Sequence, residues 1–254
     1  MHFDEFDVFT RRLCLETEKI ILEYFENPDL EIITKTDDSP VTAADKHSER
    51  IIREAIGITY PDHGIFGEEY GEMNPEARYK WIIDPIDGTK TFTAGCPLFG
   101  TMIALVEDDE PLFGCVNYPA LHKRLAGDGN SAWVNGERVQ ARTGIPLKQA
   151  VILTSDYETI PKYQNGKNWD TLIERSRYGR TWGDCYGYLL LATGKAEAMV
   201  DPIMNPWDLM ALIPIIRGAG ATITDWQGDN PAKGESIIAA NSDLHEEIKS
   251  ILNA

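Results

Sequence analysis

The residues best placed to do chemistry lie where an apolar run, Trp81-Ile82-Ile83, ends on Asp84 and continues Pro85-Ile86-Asp87-Gly88-Thr89. Carboxylates at a strand end can point together into a cleft. Pro85 removes one backbone donor, and Gly88 lets the backbone come close to a ligand. Two acids with a turn carbonyl form a hard oxygen site, which suits magnesium better than zinc. Taken alone, the segment reads equally well as a polar turn. A second acidic pair, Gly67-Glu68-Glu69, follows the apolar Gly64-Ile65-Phe66 and is either a further ligand source or a solvated loop. Far downstream, Asn205-Pro206-Trp207-Asp208 has the proline and acid of a helix start, where the helix dipole favours negative charge. The apolar segment after it makes Asp208 more notable than an acid on a surface helix.

The totals bound what such a site can serve. Formal net charge is −17, from 41 acidic against 24 basic side chains. That excess would repel nucleic acid. It would also repel an anionic ester, unless carboxylates first recruit divalent cations that then recruit phosphate. No apolar run approaches the roughly 20 residues that cross a bilayer. The acidic start, Met1-His2-Phe3-Asp4-Glu5, lacks the basic flank of a secretory signal. The expectation is a cytoplasmic protein with no membrane and no nucleic-acid partner. The four cysteines (Cys14, Cys96, Cys115, Cys185) form no C-x-x-C pair and read as reduced thiols. None of the five histidines stands in a catalytic pattern.

The elements that must position these residues follow from periodicity. Phe6, Phe9, Leu13, Ile20 and Phe25 recur at helical spacing, predicting a helix over 4–26 that ends at Asn27-Pro28. A polar loop over 35–40 precedes a second helix opened by Thr42 or Asp45, with Ile51, Ile52, Ala55 and Ile56 inward. Strands are predicted at 64–67, 81–83, 99–106, 112–118 and 121–126, and Asn135-Gly136 marks a tight turn. The polar stretch near 140–148 divides one domain, 1–254, into two packed halves, about 1–145 and 146–254. In the second half, strands at 150–154, 196–200, 221–225 and 236–240 alternate with helices at 168–177, 184–193, 207–217 and 243–252. Gly194 and Gly218 fit helix C-terminal positions. This predicts α/β packing after an α+β first half.

Four elements in order then carry a resemblance: Val41-Thr42-Ala43-Ala44-Asp45, Gly67-Glu68-Glu69, Trp81–Thr89, and Trp207-Asp208 with Gly218-Ala219-Gly220. Over essentially its whole length the chain resembles the inositol monophosphatase family. The resemblance implies a layered αβαβα sandwich and a magnesium-dependent phosphatase acting on a small phosphate monoester, with two or three ions per site and a homodimeric assembly. It implies that Glu68, Asp84, Asp87, Asp208 and the Ile86 carbonyl bind metal. It implies that Thr89, with Asp45 and Glu68, handles the attacking water, and that Gly88 and Thr89 hold the phosphate. Lys35 matches a loop lysine that approaches the same cleft.

Substrate choice must rest on other segments. Gly183-Asp184-Cys185-Tyr186, the run from Asp208 to Pro214, and Thr224-Asp225-Trp226-Gln227-Gly228 are similar to the histidinol-phosphate phosphatase branch. That substrate carries an ammonium and an imidazole. Asp184 and Asp201 could pair with its cation, and Tyr186 or Trp182 could offer a ring face. A helix N-cap is the alternative role for Asp184, and a strand-end turn for Asp201. Trp207 departs from the tyrosine of that branch and matches the inositol phosphatases, so inositol 1-phosphate is the alternative substrate, followed by a broad sugar or nucleotide phosphatase. A non-catalytic metal- or phosphate-binding protein is the alternative of another class.

Overall fold

The computed structural model describes residues 1–25, 27, 32–34 and 40–254. Lys35 and most of the expected 35–40 loop lie outside the described residues. From the N-terminus the chain runs α1 (Phe3–Phe25), β1 (Ile32–Thr34), β2 (Pro40–Thr42), α2 (Ala43–Thr59), β3 (Gly64–Gly67), β4 (Gly71–Met73), β5 (Tyr79–Asp87), α3 (Thr89–Thr93), β6 (Gly100–Glu107), β7 (Glu110–Tyr118), β8 (Lys123–Gly127), β9 (Ala132–Val134) and β10 (Glu137–Val139). It continues through β11 (Val151–Leu153), α4 (Ile160–Tyr163), α5 (Gly166–Arg175), β12 (Tyr178–Arg180), α6 (Cys185–Ala192), β13 (Ala198–Asp201), α7 (Pro206–Leu209), α8 (Leu212–Gly218), β14 (Ala221–Thr224), β15 (Ile237–Asn241) and α9 (His245–Leu252).

The layers follow from which faces are apolar. Among the described residues, β3 to β10 form one sheet in the order β10-β9-β8-β7-β6-β5-β3-β4, and β11 to β15 form another in the order β12-β11-β13-β15-β14. On one face of the first sheet, Phe6, Phe9 and Leu13 of α1 and Ile52 and Ile56 of α2 bury Trp81, Ile83, Ile103 and Leu105. Alternate residues of the same strands, Ile82, Met102 and Ala104, face α6 and α8. Those helices also cover Val151, Leu153 and Met199 of the second sheet. Beyond that sheet, Trp169 and Leu172 of α5 and Ile248 of α9 pack on Ile152, Val200 and Ile238. The order is helix, sheet, helix, sheet, helix, the αβαβα sandwich expected from the sequence.

Three expectations change. The strand expected at 81–83 does not end at Asp84: β5 runs from Tyr79 to Asp87, because Pro85 sits in a bulge where its missing N–H breaks no ladder bond, and the turn comes at Gly88, φ +83°. The single helix over 207–217 is two helices, α7 and α8, with Met210 and Ala211 between them. Pro214 is the reason. In a continuous helix its ring would meet the carbonyl of Met210, whereas in the first turn of α8 its missing N–H is no loss. Gly218 does not terminate α8 in the left-handed conformation; Gly220 does, at φ +79°. Gly218 instead lies against the Ser131 backbone, where a Cβ would stand 2.2 Å from the carbonyl oxygen. The Asn135-Gly136 turn links β9 and β10, with φ positive at both residues as a tight hairpin needs.

Candidate active site

Asp84 and Asp87 belong to one strand, and their spacing is wrong for a shared face. Residues three apart on a regular strand point to opposite sides. Here Asp84 pairs with Met102 and Asp87 with Gly100, so the β5 segment carries one residue more than its partner. This bulge turns both carboxylates the same way. The Ile86 N–H donates to Asp84 Oδ1 at 2.9 Å, and Thr101 Oγ1 donates to the Pro85 carbonyl at 2.8 Å. Both bonds pin the bulge.

Glu68 reaches the same place from a parallel strand. β3 pairs with β5 in parallel, and the Glu68 N–H donates to the Ile83 carbonyl at 3.1 Å. The acid thus leaves the carboxyl end of β3 beside Asp84, the end at which open sheets assemble sites. A residue that sequence reasoning missed sets this turn. Glu49 of α2 is fully buried, and its carboxylate accepts from the Glu69 N–H at 2.7 Å, the Tyr70 N–H at 3.2 Å and Arg53 Nη1 at 3.0 Å. A Cβ on Gly67 would stand 2.1 Å from Glu49 Oε1, so glycine is needed there. The available signal was an acid on the inward face of α2 with an arginine one turn on.

Asp208 arrives from the second half of the chain. Its Oδ2 accepts from the Asn205 N–H at 2.9 Å and closes a capping box on α7, so the helix-start reading holds. The neighbouring Trp207 ring meets Phe66 of β3 edge-on, with centroids 5.3 Å apart. That contact docks α7 on the first sheet. Asp84, Asp87 and Asp208 then each offer a carboxylate oxygen, all within 4.8 Å of one another. Glu68, the Ile86 backbone, Gly88 and Thr89 border the same cleft, about 520 Å³ in volume.

Asp45 stands at the edge of this cluster in the first turn of α2. Thr42 caps the helix, and both its N–H (2.8 Å) and its Oγ1 (2.6 Å) donate to Asp45 Oδ2. The other oxygen, Oδ1, lies 3.5 Å from Thr89 Oγ1, whose one proton has Asp45 and, at 3.1 Å, the Ile86 carbonyl as alternative acceptors.

The electrostatics are those of crowded anions. Burial first, then the charges of Glu68, Asp87 and Asp208, push Asp84 well above the usual carboxylate range. Asp87 rises through burial and the nearby Asp184 and Asp208, against the Cys185 N–H that donates to it. Burial raises Asp208 to about 6, opposed by the Asn205 N–H and reinforced by Glu68. Burial likewise raises Asp45 to about 6, against its bonds from Thr42. Desolvated like charges at this spacing are costly without a counter-ion. The donors are all hard oxygens, so the residues fit a small divalent cation.

Comparison with known proteins gives the arrangement its context. The model of the inositol monophosphatase family matches residues 2–254. The chain belongs to the inositol monophosphatase family. It is 39% identical to a histidinol-phosphatase of Chlorobaculum parvum over 91% of this chain and 90% of that protein. It is 35% identical to a histidinol-phosphatase of Mycobacterium tuberculosis over 89% of each. A solved inositol monophosphatase from Zymomonas mobilis superposes with a TM-score of 0.89, at 34% identity and full coverage of both chains. The chain is therefore a phosphatase of this metal-dependent family.

Within this inositol monophosphatase fold, the residues expected at the substrate end separate. Asp184 borders the cleft; its side chain makes no capping bond but accepts from Thr91 Oγ1 at 2.7 Å, beside Gly88. Its N–H donates to Ser155 Oγ at 3.0 Å. Burial raises the Asp184 carboxyl, with Thr91 and Lys90 opposing. Asp201 ends β13, is 2% exposed, and accepts from Ser155 N–H at 2.8 Å and Tyr188 Oη at 2.6 Å. It lies in a smaller pocket adjoining Asp87 and Asp208. Tyr186 packs on the core, edge-on to Tyr118, and neither it nor Trp182 borders the cleft. Cys14, Cys115 and Cys185 are buried, and the cysteines are free thiols. No helix of the described residues is long and apolar enough to cross a membrane.

Proposed function

We propose that this phosphatase hydrolyses L-histidinol phosphate to L-histidinol and phosphate, with magnesium as its cofactor. The observation that carries the phosphatase chemistry is the meeting of Asp84, Asp87 and Asp208 within 4.8 Å, with Thr89 beside them. In this reading Glu68, Asp84, Asp87, Asp208 and the Ile86 carbonyl hold two or three magnesium ions. When bound, these supply Lewis-acid stabilisation of the phosphoryl oxygens and make a nucleophile available near neutral pH. Gly88 and Thr89 N–H groups, at the start of α3, hold the phosphate. Thr89 Oγ1 orients the attacking water, and Asp45, locked by Thr42, accepts the hydrogen bond that sets the threonine's direction. Glu68 assists in drawing the water's proton. Phosphoryl transfer requires in-line placement and charge neutralisation more than covalent help.

The substrate reading rests on likeness to the two histidinol-phosphatases and on Asp184, a carboxylate that borders the cleft and is available to a cationic alcohol. Asp201 and Tyr186 would then act behind the contact surface, holding the wall of the pocket. The second reading, inositol 1-phosphate, is favoured by Trp207 and by likeness to the Zymomonas mobilis structure. We place the enzyme in the cytoplasm as a homodimer on the strength of the resemblance.

A side-by-side measurement of kcat/KM for histidinol phosphate and inositol 1-phosphate with magnesium tests this. A clear preference for histidinol phosphate is expected. A preference for inositol 1-phosphate transfers the assignment to the second reading. No release from a broad ester panel leaves a non-catalytic binding protein.

A further inference from the structure

A phosphate monoester has two ends, and of the acids of the cleft only Asp184 is left for the alcohol. The alcohol must lie against what remains: Lys90, Tyr163, Ile203, Asn205 and Trp207. Trp207 already spends its ring on Phe66. Tyr163 and Ile203 are the exposed apolar surfaces of the wall, at 43% and 41% exposure. They come from different segments, the end of α4 and the stretch after β13. Gln164 joins them: its Nε2 donates to the Pro202 carbonyl at 3.1 Å. The Met204 N–H donates to the Glu235 carbonyl at 2.7 Å, holding the same stretch from behind. The wall is therefore built, and the Tyr163 side chain borders it.

The Tyr163 ring already attracts a cation, from a residue outside the cleft lining. Lys162 Nζ lies 5.0 Å from the Tyr163 ring centroid. An ammonium at that range is drawn by the ring quadrupole, and the attraction strengthens as water is excluded. Lys162 is exposed on a short helix and does not border the cleft; its contact shows that this ring takes a cation, not where a substrate ammonium would sit. Asp184, on the same cleft, adds negative potential toward the same cation.

We propose that Tyr163 is a specificity-determining residue of this cleft, its ring face forming the subsite for the cationic alcohol part of the ester. The assignment rests on the histidinol-phosphate reading for its biological sense. It replaces Tyr186 and Trp182 as the aromatic that meets substrate.

The test is a binding measurement by calorimetry, with magnesium present and no turnover. The ligands are 3-aminopropylphosphonate and 3-hydroxypropylphosphonate, alike in length and differing in charge. The unsubstituted chain should prefer the amino ligand. Tyr163→Leu should reduce that preference about fivefold, the size of a partly exposed cation–π contact. Tyr163→Phe should keep it, because the ring remains. The proposal is overturned if Tyr163→Leu leaves the preference unchanged, if Tyr163→Phe loses as much as Tyr163→Leu, or if the unsubstituted chain does not bind the amino ligand. Phosphate release from histidinol phosphate, measured separately, decides the histidinol-phosphate reading, so the two failures are distinguishable.

Discussion

Asp45 and Thr89 face each other across the edge of the cleft, with Thr89 Oγ1 3.5 Å from Asp45 Oδ1. The carboxylate cannot swing away, because Thr42 holds its other oxygen through both a backbone and a side-chain bond. One threonine therefore caps a helix and aims an acid. Thr42→Ala should cost about 1 kcal/mol of stability through the lost cap. It should also lower kcat by roughly tenfold, part of what a positioned acid–base group contributes. Thr42→Ser should restore both. Denaturant titration and steady-state kinetics check the pair; an alanine variant with full kcat would separate Asp45 from the chemistry.

Asp87→Asn removes a charge and almost no volume. Turnover should fall by a factor on the order of 10³ or more, since the cluster loses a hard ligand. The metal-free variant should melt higher than the metal-free parent, because one of three crowded, desolvated anions is gone. Magnesium should raise the melting temperature of the parent and do so less in the variant. Thermal scans with chelator and with magnesium read both effects. Equal magnesium shifts in the two proteins would remove Asp87 from the ligand set.

Acidity should act in opposite directions on the two forms. Asp45 and Asp208 stand at about 6, above the ordinary 3.8. A carboxyl whose pKa is raised on folding contributes stability below its unfolded pKa and loses it as pH climbs through the folded value. The metal-free protein should therefore gain stability from these groups as pH drops from 7.5 to 4.5. Asp208→Asn should show a smaller gain. Magnesium affinity should instead weaken below about pH 6, since ligands must be deprotonated. A metal-free melting temperature that changes equally with pH in parent and variant would contradict this.

Gly67→Ala tests the support under Glu68. The new methyl would meet the buried Glu49 carboxylate at 2.1 Å and force apart the bonds to Glu69 and Tyr70. A loss of about 1–3 kcal/mol is expected for overpacking at a buried site, together with weaker magnesium binding. Gly71→Ala, with open space at its Cβ but φ +64°, should cost stability alone. Unchanged magnesium affinity in Gly67→Ala would show that the Glu49 anchor does not govern Glu68.

Asp184→Ala should reduce use of histidinol phosphate more than use of a neutral-alcohol phosphate of similar size. The carboxylate is held by Thr91, so some loss on both substrates is expected as Gly88 loses its neighbour. The ratio of kcat/KM values is the measurement. Equal losses would leave Asp184 a support of the phosphate turn and no more.

Much of this protein is legible in its chain order, wherever the cause is local. The apolar run Trp81-Ile82-Ile83 is a strand in any context, but Pro85 does not end it, since β5 runs on through a bulge to Asp87. Thr42 before Ala43 starts a helix because its hydroxyl reaches the free amides there. The apolar periods of α1, α2 and α9 specify one buried face each, which is why the limits of α1 and α9 and the start of α2 were readable within a few residues. The acids of the cleft are named through the family resemblance, because each acidic motif alone reads equally well as a turn, a loop or a helix start. Which way side chains face was decided elsewhere. Asp84 and Asp87 share a side only because β5 gains a residue against β6, a fact of pairing between strands. Asp208 is brought in by a ring contact between Trp207 and Phe66. Tyr186 turns into the core and Tyr163 borders the cleft, although both are tyrosines near helix ends. Facing is set by what lies opposite in three dimensions, and the local pattern carries no record of the opposite wall.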